Sequence, residues 1–167
     1  MSARCYVGLG SNLSDPHTQI VHALTALAAL ESTQLLAVSS LYRSKPLGPS
    51  DQPDYVNAVA MLDTRLEPEG LLDRLQRIEL EQGRVRKHER WGPRSLDLDI
   101  LLFGSLLIHS QRLTVPHYDM HRRAFVLYPL AEVSPDLTMP DGTRLSALLD
   151  NCPYDGLERL DSAAIPS

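Results

Sequence analysis

The chain has 167 residues, 43% hydrophobic and 22% charged, which suits one globular domain with a sizeable core and excludes a disordered or fibrous chain. No stretch reaches the roughly 18 uncharged apolar residues of a membrane helix, and residues 1–10 lack the basic start and apolar run of a secretion signal, so a cytoplasmic protein is expected. The formal charge of −5 is uneven: from Arg84 to Arg94 five basic residues stand against one acid, Glu89, and a basic patch on an acidic chain suits a small anionic ligand better than a long nucleic acid.

In chain order, residues 4–9 read as a strand running into a turn over Gly8, Gly10, Ser11 and Asn12. Asp15 is placed to cap a helix with Pro16 at its first position, and Ile20, Ala23, Leu24, Leu27 and Leu30 keep the spacing of a buried stripe. A strand is predicted over 34–43 and a second over 55–66, joined by a loop rich in proline: Pro46, Pro49 and Pro53, with Gly48. Pro68 opens a second helix that Gly83 closes, with Leu71, Leu72, Leu75 and Ile78 on the core face and Glu79 on that same face, four residues after Leu75. A basic loop follows over 84–95, then a strand over 96–103 with a short hairpin partner over 105–109. Helices are predicted over 122–131 and 145–149. The polar tail, from 154 to the end, is expected to be loose. Cys5 and Cys152 fit no metal spacing and are expected to be reduced thiols.

The order strand, helix, strand, strand, helix, strand is that of the ferredoxin-like split βαβ arrangement. The expected fold class is therefore α+β, an antiparallel sheet with helices on both sides in three layers, forming one catalytic domain over 1–167.

Asp97 and Asp99 are the most informative pair. Residues two apart in a strand share a face, so two carboxylates about 7 Å apart would repel unless a cation lies with them. Oxygen ligands of this kind select Mg²⁺, which keeps waters and substrate phosphates in its shell. The plain alternative is a solvated strand face. The neighbouring arginines favour the metal, because a polyphosphate needs acid-bound metal on one side and cations on the other. Trp91, the one tryptophan, lies inside the basic run, where a flat ring suits stacking or covering a ligand better than solvent. His117 could be a ligand, a base, a phosphate donor or structural, and no HExxH spacing points to zinc. Tyr55 and Phe125 read by themselves as core aromatics. Walker-type, GxGxxG and protein-kinase signatures are all missing from the sequence.

Taken together, Gly8-Leu9-Gly10-Ser11-Asn12-Leu13, Pro46-Leu47-Gly48-Pro49, Gln52-Pro53-Asp54-Tyr55-Val56-Asn57-Ala58, Gln76-Arg77-Ile78-Glu79, Gly83-Arg84-Val85-Arg86, Arg90-Trp91-Gly92-Pro93-Arg94-Ser95-Leu96-Asp97-Leu98-Asp99-Ile100 and Val115-Pro116-His117-Tyr118 resemble the 6-hydroxymethyl-7,8-dihydropterin pyrophosphokinases of folate biosynthesis, from about Tyr6 to Asp150. The resemblance implies transfer of pyrophosphate from ATP to the pterin hydroxymethyl group with release of AMP. It implies two Mg²⁺ ions on Asp97 and Asp99, with Arg84 and Arg94 stabilising the transferring phosphates. It implies that Arg86, Arg112, Thr114, His117, Tyr118 and Arg123 contact ATP, with Leu72, Gln76 and Ile100 near the adenosine. It implies that Tyr55 and Phe125 sandwich the pterin, which reverses their reading as core, that Asn57 reads its polar edge with Ser44, Pro46 and Leu47, and that Trp91 closes over it. Where relatives often read Thr-Pro-Pro-Leu-Gly, this chain has Ser44-Lys45-Pro46-Leu47-Gly48, a less stiff loop with an added charge.

The expected partners are ATP and the pterin, with neither nucleic acid nor membrane, in a monomer. The loop over 84–95 is expected to be mobile when free and to order over both ligands. The rival readings are a single-stranded nucleic-acid module on an aromatic-bearing sheet and a metal-dependent nucleotide hydrolase. Acids on the sheet would repel a nucleic acid, and a hydrolase would consume ATP without pterin.

Overall fold

The computed structural model describes residues 2–12, 15–44, 55–83, 96–117, 120–154 and 156–162. Six strands form one sheet, in the order β5-β1-β4-β3-β8 with β2 also paired to β4. They are β1 Ala3–Ser11, β2 Thr33–Val38, β3 Ser40–Ser44, β4 Tyr55–Thr64, β5 Leu96–Phe103 and β8 Leu157–Ser162. Every ladder of this sheet is antiparallel. Helices α1 (Pro16–Ala28) and α2 (Pro68–Ile78) connect strands as expected, and α3 (Ala124–Val133) and α4 (Leu145–Asp150) follow β5. The β5-β1-β4-β3 order is the ferredoxin-like one.

The layers follow from strand alternation. Cys5, Val7 and Leu9 of β1 join one core with Ile20, Leu24 and Leu27 of α1 and Leu71, Leu75 and Ile78 of α2. Tyr6 points the other way, into a second core with Val126, Leu127 and Leu130 of α3 and Leu145 of α4. Each fully buried leucine contributes about 1.5–3 kcal/mol of hydrophobic free energy, which is what holds both helix layers on the sheet. Cys5 and Cys152 are free and buried; burial pushes the Cys5 thiol up to about 12, so it stays protonated and inert.

Several expectations need correction. Gly8, Gly10 and Ser11 do not form a turn; they continue β1. The predicted strand over 34–43 is two strands, divided at Ser39, whose hydroxyl takes the Val59 N–H at 2.9 Å and whose own N–H goes to the Val59 carbonyl. Asp15 sits at the N-cap with left-handed φ of 57° but makes no capping bond to the backbone; it accepts the Thr18 hydroxyl at 2.7 Å. The second helix does not run to Gly83 as an α-helix: after Ile78 it widens into a π-helical turn over Glu79–Gly83. The 105–109 segment is not a partner of β5. Its strand β6 (Ile108–His109) pairs with β7 (Thr114–Val115) in a separate two-stranded sheet. The tail expected to be loose carries β8, paired with β3 along the sheet edge.

Candidate active site

Strand register builds the centre of the site. Gly10 pairs with Asn57 on one side and Asp97 on the other, and Gly8 with Val59 and Asp99. Directly opposed residues of antiparallel strands share a face, so each aspartate stands beside a glycine. Both aspartates are exposed, while Leu98 between them and Leu96 and Ile100 on either side are buried. The glycines make the space. A Cβ on Gly10 would lie 3.1 Å from Asn57 Oδ1, and one on Gly8 would touch Leu101 at 3.4 Å.

Above this floor is a cavity of about 220 Å³, lined by Ser44, Tyr55, Asn57, Asp97, Asp99, His117, Arg123 and Phe125, with Gly8, Gly10 and Leu101 beneath. Asn57 is buried and donates its amide N–H to Ser44 Oγ at 2.7 Å, which fixes the orientation of the amide group. Tyr55 and Phe125 are half-buried and both present surface to the cavity, so they are not sealed core aromatics. The Arg123 guanidinium carbon lies 5.5 Å from the Phe125 ring centre, within cation–π range.

A second cavity, of about 240 Å³, lies between α2 and the β6–β7 hairpin. Leu72, Leu98 and Ile100 give it an apolar wall, and Arg112, Leu113 and Thr114 face them from the hairpin. Gln76 is not in its lining but accepts a hydrogen bond from Arg112 at 3.2 Å. Asp99 and His117 line both cavities. A β-bulge helps to place His117. The β1–β5 register slips between Tyr6 and Val7, leaving Leu101 without a partner, and the Leu101 carbonyl accepts the His117 N–H at 3.0 Å.

The electrostatics are those of crowded acids. Desolvation by the cleft walls raises the Asp99 pKa, although the residue opens onto the cleft; His117 opposes that rise, Asp97 adds to it and Arg123 opposes it. Glu79, carried by the π-helical turn, accepts the Leu98 N–H at 2.8 Å between the two aspartates. Its carboxyl is also raised, first by desolvation, against the Leu98 bond and with help from Asp97 and Asp99. Among the described residues no group of three or more His, Cys, Asp or Glu side chains could enclose a metal. A pair of open carboxylates suits an ion such as Mg²⁺, which completes its shell with water and substrate oxygens, better than a structural zinc, which prefers sulfur and nitrogen ligands.

The structure thus gathers Ser44, Tyr55, Asn57, Asp97, Asp99, Arg123 and Phe125 around one cavity, and Leu72, Ile100, Arg112, Thr114 and His117 around the other. Arg123, expected beside ATP, faces the first cavity. Pro46, Leu47, Arg84, Arg86, Trp91, Arg94 and Tyr118 lie outside the described residues. Gly8 and Gly10 were missed as floor residues. Their spacing of two, equal to that of Asp97 and Asp99, was the available signal for glycines in a strand.

Fold and site define a ferredoxin-like α+β protein with a carboxylate pair where two cavities meet. Residues 6–135 match the sequence model of 7,8-dihydro-6-hydroxymethylpterin-pyrophosphokinase (HPPK). The 2-amino-4-hydroxy-6-hydroxymethyldihydropteridine pyrophosphokinase of Pseudomonas aeruginosa is 62% identical over 163 residues, 98% of this chain and 100% of the relative. The Haemophilus influenzae protein of the same name is 57% identical over 144 residues, 86% of this chain and 89% of its own. The chain belongs to the HPPK family. The crystal structure of Plasmodium falciparum HPPK-DHPS with pteroate shares its fold, at a TM-score of 0.70 and 14% identity, over 90% of this chain and 42% of that longer one.

Proposed function

We propose that this chain transfers the pyrophosphoryl group of ATP to the hydroxymethyl group of 6-hydroxymethyl-7,8-dihydropterin, yielding AMP and the pterin diphosphate, as a monomeric cytoplasmic enzyme of folate biosynthesis. The observation that carries the reading is the meeting of an aromatic, amide-bearing cavity and a helix-walled cavity at one open carboxylate, Asp99.

In this reading the pterin ring stacks between Tyr55 and Phe125, and Asn57, oriented by Ser44, reads its polar edge. The adenosine lies against Leu72 and Ile100, facing Arg112 and Thr114. Its phosphates run past His117 toward the aspartates, with Arg123 and the arginines over 84–95 offsetting their charge. Asp97 and Asp99 would hold Mg²⁺, two ions by the family resemblance, and the metal would supply charge neutralisation on the phosphates. The pterin hydroxyl oxygen attacks the β-phosphorus, the bond to the oxygen bridging α and β breaks, AMP leaves and the hydroxyl proton is released. Asp97, across the Gly10 floor from Asn57, would orient that hydroxyl. Such a loose transition state needs positioning and charge compensation more than a covalent intermediate.

The test is incubation with magnesium-ATP in the presence and absence of the pterin. AMP formed only with the pterin is the expected result. ADP as product, or nucleotide consumption without the pterin, overturns the reading and favours a kinase or a hydrolase.

A further inference from the structure

Arg112 stands on the turn between β6 and β7, and its guanidinium is shared among three side chains of α2. One terminal nitrogen donates to Asp73 Oδ1 at 2.5 Å and to Gln76 Oε1 at 3.2 Å, and the other to Glu69 Oε1 at 3.4 Å. Residues 69, 73 and 76 are spaced by four and three, so they form one stripe along the helix. Leu72, on the same side of α2, is a wall of the second cavity. Among the described residues the hairpin forms its own two-stranded sheet and shares no ladder with the main one. The three acceptors therefore tie the cavity's hairpin wall to its helix wall.

We propose that Asp73, supported by Glu69 and Gln76, is a positioning residue for nucleotide binding: it clasps Arg112 and the hairpin against α2 and so sets the width of the cavity that takes the adenosine half of ATP. The proposal rests on the nucleotide assignment of that cavity made above.

Charge gives the proposal a definite sign. Two carboxylates at the rim of a site for a polyanion repel it, so neutralising idle ones would tighten ATP binding. Neutralising carboxylates that hold Arg112 in place weakens it instead. The Arg112, Glu69 and Asp73 side chains are 42%, 53% and 54% exposed, so the clasp exchanges with water and is screened by salt. Exposed pairs of this kind support an effect of about threefold for Asp73→Asn and up to about tenfold for Glu69→Gln with Asp73→Asn.

The experiment is calorimetric titration with magnesium-ATP, joined to steady-state kinetics, on the wild type, these two variants, Asp73→Glu and Arg112→Ala. The expected result is weaker ATP binding and a raised KM for ATP in Asp73→Asn, the double variant and Arg112→Ala, with kcat and the pterin KM unmoved in the Asp73 and Glu69 variants and with Asp73→Glu restoring most of the affinity. Unchanged or tighter ATP binding in the double variant, where Arg112→Ala is weakened, overturns the clasp and leaves the nucleotide assignment standing. Unchanged ATP binding in Arg112→Ala overturns both. An equal rise in both KM values marks a general loss of structure and also overturns the clasp.

Discussion

The two cavities share Asp99 and His117, yet their other walls are of different kinds. The first rests on three adjacent strands whose register sets Asn57, Gly10 and Asp97 in one row, and its amide is locked by a buried serine. The second is closed by a helix and a detached hairpin, joined at the rim by exposed ion pairs. Buried register moves only when the sheet unpairs, because a one-residue slip would turn every side chain to the opposite face. An exposed ion pair exchanges readily with water and is screened by salt. In the proposed reading the pterin side is thus built for strict recognition, and the nucleotide side can adjust its width.

The shared junction carries the largest expected effect. Asp97→Ala or Asp99→Ala removes a carboxylate that would hold metal against the phosphates, a contribution of several kcal/mol to the transition state, which is about a thousandfold in turnover. The fold should survive, since each change also removes one of two mutually repelling acids. Steady-state turnover and thermal unfolding check both halves of this expectation. Near-normal turnover in both variants would mean that the two cavities do not meet at the reacting centre.

A smaller effect separates the cavities. Tyr55→Ala and Phe125→Ala should each weaken pterin binding by about 1–3 kcal/mol, the range for stacking a ring on an aromatic side chain, with ATP binding changed much less. Calorimetry with each ligand in turn measures this. Equal losses for both ligands would erase the distinction and return these residues to the core.

Much of this division was legible in the sequence. The helical stripes of Ile20, Leu24 and Leu27 and of Leu71, Leu75 and Ile78 gave both helices and their buried sides, and the period of two in Asp97 and Asp99 gave the acid pair its common face. What escaped depends on partners distant in the chain. Gly8 and Gly10 look like a turn until β4 and β5 are laid beside them. β8 is polar because it is an edge strand, and among its described side chains Leu160 packs on the core; nothing local distinguishes that from a loose tail. The break at Ser39 is made by a side chain replacing a ladder bond, which leaves no trace in propensity. Glu69, Asp73 and Gln76 show their helical spacing, but β6 and β7 are two residues each, too short to predict as the other half of a clasp. Pro46, Leu47, Arg84, Arg86, Trp91, Arg94 and Tyr118 lie outside the described residues; the basic run and its tryptophan were legible as a ligand-facing loop, and the individual roles rest on the family resemblance.

The smallest expected effect tests how firmly the pterin side is anchored. Glu132 of α3 accepts the Ser40 N–H at 2.9 Å, the Ser40 hydroxyl at 2.7 Å and the Tyr42 hydroxyl at 2.8 Å. Arg159 of β8 reaches the same carboxylate at 3.5 Å. One carboxylate therefore ties α3 and the edge strand to β3, the strand that ends in Ser44. Partial burial works to raise its pKa, but the hydrogen bonds from Ser40 and Tyr42 and the charge of Arg159 outweigh it and hold the carboxyl below its ordinary 4.5. A carboxylate depressed in the folded state binds fewer protons there than in the unfolded chain, so its stabilisation is fully present above the ordinary value and is lost as pH falls through the folded one. Glu132→Gln removes the charge and leaves one acceptor oxygen where two served several donors, a loss of about 1–2 kcal/mol at neutral pH for charge-assisted bonds at a partly exposed site. Denaturant unfolding at a series of pH values measures it. The variant should be less stable than the wild type at pH 7, and the gap should close as pH falls below 4.5, because the wild type then loses what the variant never had. A gap that stays constant with pH would show that the charge of Glu132 contributes nothing. The pterin KM should rise slightly through Ser44 and Asn57 while the KM for ATP stays fixed, because the second cavity takes none of its walls from β3.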